Sequence, residues 1–331
     1  MPSNIFNAAD FTFETLTAVI NDQYKPSVLS NARLFKEQGI ASTKVLIEQI
    51  DGLITLIQSS PRGAPGHPHR TASRKAFEFE AVHLKTSGAV LADSVQNVRE
   101  FGGMGPTTAT QVRDRKLSEM GRNLESTNEW LRMGALKGLI LDADGATTLL
   151  DLYAFFGISQ QVLNIDLTSS SLNVPNRVTE AKRRSEAELG DAKPTSWLAY
   201  SSASFLDALR ANASIAQTLA GWNAATAMRD DVRGDFQVSK VQFEELRDAV
   251  GLTWVEPDTA YLVPLGVDDL FQSHWAPADY NETVNTIGLP LYAKSEPMPM
   301  GRGYELEAQS NPIHICRNPR AVIKLVNTTT P

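Results

Sequence analysis

The sequence predicts an α+β fold, and three observations carry that prediction. Helical and strand-like segments are interspersed without the regular alternation of a doubly wound sheet. The longest helical signal runs from about residue 106 to 137, and strand-like runs recur in pairs around Asp-Gly dipeptides, a sequence mark of hairpins. At 331 residues, 42% hydrophobic and 21% charged, the chain has room for two domains, or for one domain with large insertions, and has the composition of a folded protein. No repeat of about 20 to 50 residues interrupts this organisation.

Residues 1–35 read as an arm with short helical pieces, such as DFTFETLTAVINDQ. In KVLIEQIDGLITLIQ, two β-rich runs near 44–50 and 53–58 flank Asp51-Gly52, which readily supplies the positive φ angles of a two-residue type I′ turn. The stretch SSPRGAPGHPHRTASRK has no apolar period and reads as an exposed loop. Phe77 and Phe79 then alternate with Glu78 and Glu80, the pattern of a half-exposed strand. Residues 58–103 therefore form a long excursion with little core of its own, and loops of that size are usually functional.

The long helix follows. Pro106 suits its first turn, and Leu117, Met120, Leu124 and Leu131 recur along one face. About 30 residues at about 1.5 Å each make a rod of about 45 Å. GLILDADGATTLLDLYAFFG comes next and reads as two strand-like runs joined at Asp144-Gly145, repeating the turn logic of Asp51-Gly52. VPNRVTEAKRRSEAELG is expected to be helical, SWLAYSSASFLDALRANASIAQTLAGW a strand entering a helix, and FQVSKVQFEELRDAVGLTWVEPDTAYLVPLG strands around a short helix. The tail YELEAQSNPIHICRNPRAVIKLV is expected to hold two strands separated at Asn318-Pro319.

Chemistry finds little support. Asp142-Ala143-Asp144 is the opening of an aspartate-nucleophile phosphatase loop, but Thr or Val is missing at Ala146 and the preceding element is a long helix. A calcium loop starting at Asp142 would need a glutamate at its twelfth position, where Tyr153 stands. His67-Pro68-His69 lacks a third ligand nearby, and His83, His274 and His314 are scattered. The Gly-rich stretch at 102–105 is neither a P-loop nor a dinucleotide fingerprint, and Asp230-Asp231 and Asp268-Asp269 read as solvated pairs. No G-x-S-x-G or H-E-x-x-H occurs, so no catalytic residue, cofactor or metal site is singled out.

The remaining bounds are physical. A net charge of −7 argues against a protein whose task is gripping nucleic acid, though not against one that surrounds it. The single cysteine, Cys316, excludes a disulfide within the chain and reads as a packed strand residue. No apolar run approaches the roughly 20 residues of a membrane span, and the N-terminus has neither the basic nor the apolar region of a signal peptide. The expectation is a protein made and kept in a cytoplasm, with no membrane partner.

The order of these elements resembles the major capsid proteins of tailed phages, in the family typified by the phage lambda E protein. The resemblance rests on LFKEQGIASTKVLIEQIDGLITLIQSSPRGAP, DSVQNVREFGG, the long helix, GLILDADGATTLLDLYAFFG, VRGDFQVSKVQFEELR, HWAPADYNETVNTIGLPLYAK and QSNPIHICRNPRAVIKL, which span nearly the whole chain in the expected order. It implies a Hong-Kong-97-like fold. Residues 1–43 would be an N-terminal arm, 44–105 a strand hairpin and extended E-loop, 106–190 a peripheral (P) domain with the spine helix, 191–290 an axial (A) domain, and 291–331 strands returning to the P domain.

The function so implied is assembly. Copies of the chain would make head-to-tail contacts that close into hexamers and pentamers of an icosahedral shell around double-stranded DNA. A decoration or cement protein, a portal and a scaffold would be its other partners, and DNA would be enclosed without sequence-specific binding. Arg62, Arg70, Arg74, Lys75, Phe77 and Phe79 would touch neighbouring subunits, while Asp51, Gly52, Asp144 and Gly145 would build turns. Some relatives of this fold link subunits through Lys-Asn bonds, and Lys85 lies in the loop where such a lysine could be, though nothing around it marks it out. A cellular nanocompartment shell of the same fold and a phosphohydrolase built on Asp142 and Asp144 are the alternative readings.

Overall fold

The structure, a computed structural model, describes residues 8–22, 34–50, 74–95, 108–169, 171–215, 236–246 and 251–328. In chain order the first elements are α1 (Phe13–Asp22), β1 (Lys36–Gly39), β2 (Lys44–Ile50), β3 (Arg74–Glu80), β4 (Leu84–Leu91) and α2 (Ala109–Lys137). Next come β5 (Leu139–Leu141), β6 (Thr148–Asp151), α3 (Leu152–Phe156), β7 (Gln161–Ile165), α4 (Val174–Leu189), β8 (Ser196–Ser201) and α5 (Ala203–Ala211). The chain continues through β9 (Phe236–Val238), β10 (Val241–Glu245), β11 (Thr259–Leu265) and β12 (Phe271–Trp275). It closes with β13 (Tyr292–Pro297), β14 (Gly303–Ser310), β15 (Pro312–Cys316) and β16 (Ile323–Asn327).

Two compact units result. One holds Met1–Ile47, Phe77–Arg132 and Gln272–Ile315, the other Glu48–Ala76, Met133–Phe271 and Cys316–Pro331. These divisions fall at other points than the segment boundaries drawn from the resemblance: 106–190 is cut after Arg132, and 291–331 after Ile315.

In the first unit, α1 and α2 cover the antiparallel sheet β13-β14-β4. Leu117, Met120 and Leu124, the expected inner face of α2, meet Phe11, Leu16 and Ile20 of the arm and Val90, Leu291, Ala293, Leu306 and Ala308 of the sheet. Burying a Leu or Ile side chain contributes about 1.5–3 kcal/mol, so this apolar stripe, rather than helix propensity, fixes α2 in place. Polar pegs add direction: Thr17 Oγ1 donates to the Ala293 carbonyl at 3.1 Å, and Asn21 Nδ2 to Leu291 O at 2.7 Å. A second sheet has the order β1-β12-β15, with β1 parallel to β12.

In the second unit, a mixed six-stranded sheet runs β7-β16-β11-β8-β10-β9. β8 is buried along almost its whole length because β10 and β11 flank it, and SWLAYS carries large side chains to both faces. Asn173 caps α4 through the amide of Asn176, Ser202 caps α5 through that of Phe205, and both helices contribute to one apolar cluster with Trp197, Phe243, Leu262 and Leu325.

Several expectations stand corrected. The second run after Asp144-Gly145 is not one strand: it breaks at Asp151, whose carboxylate accepts from the Tyr153 and Ala154 amides and starts α3. The tail holds three strands rather than two, because Asn311 separates β14 from β15 and these lie in different sheets. β2 forms as expected, and its partner among the described residues is β3. The Asp51-Gly52 turn, the run at 53–58 and Pro106 lie outside the described residues.

Candidate assembly surfaces

The paired strands β2 and β3 form a two-stranded ribbon. Arg62, Arg70, Asp51 and Gly52 lie outside the described residues, whereas Arg74, Lys75 and Phe77 fall in β3. Glu78 and Glu80 are exposed, and Lys44 reaches Glu78 at 2.5 Å, which raises the lysine pKa. Phe79, by contrast, is 3% exposed, so its own chain covers the ring. Lys85 on β4 is engaged within its own chain as well: it pairs at 2.6 Å with Glu307, which also accepts from Gln309 and Tyr280.

The β5–β6 hairpin is where nucleophile chemistry was weighed against a turn, and its geometry is that of a turn. Asp142 N donates to Thr147 O at 2.8 Å and Gly145 N to Asp142 O at 2.9 Å, so four residues, Ala143 to Ala146, bridge the ends. Only Gly145 of these four has positive φ (70°), which corrects the expected two-residue type I′ turn. Asp144 accepts from the Ala146 and Thr147 amides, both at 2.8 Å, and from the Thr147 hydroxyl at 2.6 Å. The hydroxyl first, then the amides, hold its carboxyl below the usual range. A carboxylate saturated by its own turn is a poor nucleophile and a poor proton donor.

Gly138 joins α2 to this hairpin. It follows the last helical residue with φ of 83°, as a helix-ending glycine does, and a Cβ there would lie 2.3 Å from the Tyr153 ring. Register shifts along the hairpin: Ile140 pairs with Leu150 but Leu141 pairs with Thr148, leaving Leu149 as the extra residue of a bulge.

Among the described residues, the most heavily charged buried place is in the first unit. The Arg132 side chain is completely buried, and its guanidinium reaches Glu125 at 2.9 Å, Glu37 at 3.2 Å and Glu129 at 3.3 Å while lying 5.6 Å from the Trp275 ring centroid. Burial pushes the Glu125 carboxyl up despite the neighbouring cation. His314 stands edge-on to Trp275 at 5.6 Å and shares a 2.8 Å hydrogen bond with Ser273. Burial, reinforced by Arg132 and His274, holds His314 well below the ordinary histidine range, so it is neutral. Two carboxylates of this cluster come from the helix that contains the arginine, and Glu37 comes from β1. Sequence reasoning missed it; the available signal was Glu125, Glu129 and Arg132 at helical spacings of 4, 3 and 7 beside the apolar stripe.

In the second unit, Glu256 gathers Lys137 at 3.1 Å, the Tyr261 hydroxyl at 2.8 Å and Lys324 at 4.0 Å. Burial pushes this carboxyl up, but the two lysines and the hydroxyl outweigh it and hold it below the usual range. The arrangement can neutralise charge; it offers no nucleophile with a base. Among the described residues no group of three or more His, Cys, Asp or Glu side chains is placed to hold a metal ion, and no described helix is long and apolar enough to cross a membrane. His274 and His314 are buried, and His83 is engaged with Asn311 at 2.8 Å.

Comparison with known proteins covers nearly the whole chain. Residues 12–327 match the family model described as phage major capsid protein E. The chain is 22% identical to the major capsid protein of Salmonella phage Felix O1, over 89% of this chain and 90% of that one. It is 25% identical to the major capsid protein of Pseudomonas phage KPP10, over 85% and 86%. Among solved structures, the putative capsid protein of a prophage of E. coli CFT073 superposes with a TM-score of 0.60 at 13% identity, covering 96% of this chain and 99% of that one. The fold is thus Hong-Kong-97-like, in agreement with the resemblance drawn from sequence.

Proposed function

The chain belongs to the phage major capsid protein E family, and from that membership we propose how it performs the work of a capsid subunit. Copies associate head to tail into hexamers and pentamers, and these close into an icosahedral shell around double-stranded DNA. The observation that carries this reading is the family match over residues 12–327, continuous through both compact units. The arm (1–43) and the loop (44–105) lie across neighbouring subunits, 106–190 and 291–331 form the peripheral domain, and 191–290 form the axial domain. Arg62, Arg70, Arg74, Lys75 and Phe77 meet the next subunit, and summed contacts of modest strength make the shell stable. A decoration protein, a portal and a scaffold complete the particle, which assembles in the host cytoplasm, and no catalytic step is assigned to the subunit. The net charge of −7 supports a wall that encloses DNA without gripping it.

Electron microscopy of the expressed chain, and of particles from its native source after nuclease treatment, tests this. Closed shells with protected double-stranded DNA in the native particles are expected. Discrete monomers or dimers under every assembly condition would refute the reading.

A further inference from the structure

One strand edge in the first unit is closed by side chains rather than by another strand. In the sheet β13-β14-β4, β13 is an outer strand, so every second residue turns its backbone N–H and C=O away from β14. Met298 N donates to Gly303 O at 2.9 Å just past the paired segment, which puts even-numbered residues on the β14 side and 291, 293 and 295 on the outer side. Open edges of this kind are templates for pairing with another chain.

Helix α1 lies along that edge. Thr17 Oγ1 donates to Ala293 O at 3.1 Å and accepts from Ala293 N at 3.3 Å, so one hydroxyl serves both backbone groups of one residue. Asn21 does the same for Leu291, just before β13: its Nδ2 donates to the carbonyl at 2.7 Å and its Oδ1 accepts from the amide at 3.4 Å. Farther along, Ser295 Oγ donates to Phe11 O at 2.7 Å, and Pro297 has no N–H to offer. The periods match. Four residues of helix advance about 6 Å and two residues of strand about 6.8 Å, so side chains at i and i+4 meet alternate residues of the edge. Thr17 is buried, and Ala293 and Leu291 are almost fully so, which leaves their backbone groups no water to turn to.

We propose that α1 is a protective strap: Thr17 and Asn21 occupy the β13 edge in place of a strand and so keep it from adding a strand of a second copy of the chain. The proposal goes beyond the capsid reading and stands on the geometry of this unit alone. A helix satisfies the edge without extending it, because its own N–H and C=O groups are spent within the helix, whereas an added strand would pass an open edge outward. A bare β13 would be complementary to itself, since two identical edges pair antiparallel about a two-fold axis. The opposite edge of the sheet, β4, carries the exposed Lys85, a side chain of the kind that discourages strand addition.

Full-length variants test this. Thr17→Val with Asn21→Leu roughly keeps the volume of both side chains and removes their polar bonds, whereas Thr17→Ser keeps the hydroxyl. In the double variant, amide hydrogen exchange at Leu291 and Ala293 is expected to quicken at least tenfold, with helix content by circular dichroism unchanged. The unassembled subunit should then form sedimenting, β-rich aggregates at concentrations where the parent and Thr17→Ser stay soluble. Adding Ser295→Pro, which removes an outward N–H that β14 does not use, should restore solubility. Unchanged exchange at the two amides would overturn the closure, and faster exchange in a fully soluble double variant would overturn the protective role. Aggregation that Ser295→Pro does not relieve would mark general unfolding and equally overturn it. If the double variant does not fold, Thr17→Val alone gives the same three readings. Whether the parent chain builds shells bears on the capsid reading alone.

Discussion

Replacing Arg132 with Met keeps much of the side chain's volume and removes its charge. In the native chain the guanidinium is fully buried and meets three carboxylates at 2.9, 3.2 and 3.3 Å. Without it, Glu125 and Glu129, which are nearly as buried, face each other and Glu37 with no cation between them. Removing one partner of a buried ion pair costs about 3–5 kcal/mol, because the abandoned charge keeps its desolvation penalty. For a unit of this size that corresponds to a melting temperature lower by about 6–20 °C, at about 2–4 °C per kcal/mol. The deficit should depend on pH with a definite sign. The Glu125 pKa already lies above its ordinary value of 4.5, so its neutral form is favoured by folding. That contribution is present below about pH 4.5 and lost as pH rises through the folded-state pKa. Loss of Arg132 raises that pKa further. The variant should therefore be weakest near pH 7 and recover toward pH 5, and adding Glu125→Gln should restore part of the loss at pH 7. Thermal unfolding of the unassembled subunit at the two pH values measures this. A deficit under about 1 kcal/mol at pH 7, or one equally large at pH 5, would refute the view of Arg132 as the charge that holds β1 to α2.

The other predictions are local. Gly145→Val forces a β-branched residue to φ near 70° and places its Cβ about 3.0 Å from Leu252, at a cost of about 1–2 kcal/mol; fewer assembled shells per milligram of chain are expected on sedimentation, and an unchanged yield would contradict the turn geometry. Asp151→Ala removes the acceptor for two amides that start α3 and should cost about 1 kcal/mol, read as a lower urea midpoint with an unchanged slope. Burial pushes the Cys316 thiol up to about 12, so it should resist thiol reagents at pH 8 until the chain is unfolded. Because its folded-state pKa is raised, its contribution to stability holds below pH 9 and is lost as pH rises through about 12; reaction of native particles at the unfolded-chain rate would contradict its placement.

Much of the architecture was legible because it is written in short-range patterns. The face Leu117, Met120, Leu124 and Leu131 is buried as its spacing required. The hairpin after it was legible too, since Asp and Gly at a turn act through their own backbone. Its details were not: whether Asp-Gly makes a two-residue or a four-residue connection depends on the register of the flanking strands, here shifted by the bulge at Leu149. TTLLDLYAFFG looked like one strand because aromatic and aliphatic residues suit both states, and the capping bonds of Asp151 decided for a helix. QSNPIHIC looked continuous because Asn311 is a weak break, yet it separates strands that lie in different sheets.

The sequence by itself determined the fold class, the spine helix, the family and the lack of any recognisable catalytic motif, since each rests on periodicity, composition or the order of motifs along the chain. Only the tertiary structure decided which charges matter and which apolar side chains remain uncovered. Arg132 finds Glu37 from 95 positions away, and Ile287 stays exposed while Ile315 is fully buried. Burial and ion pairing are set by what the folded chain brings alongside a residue, and partners so distant in sequence leave no local trace of their meeting.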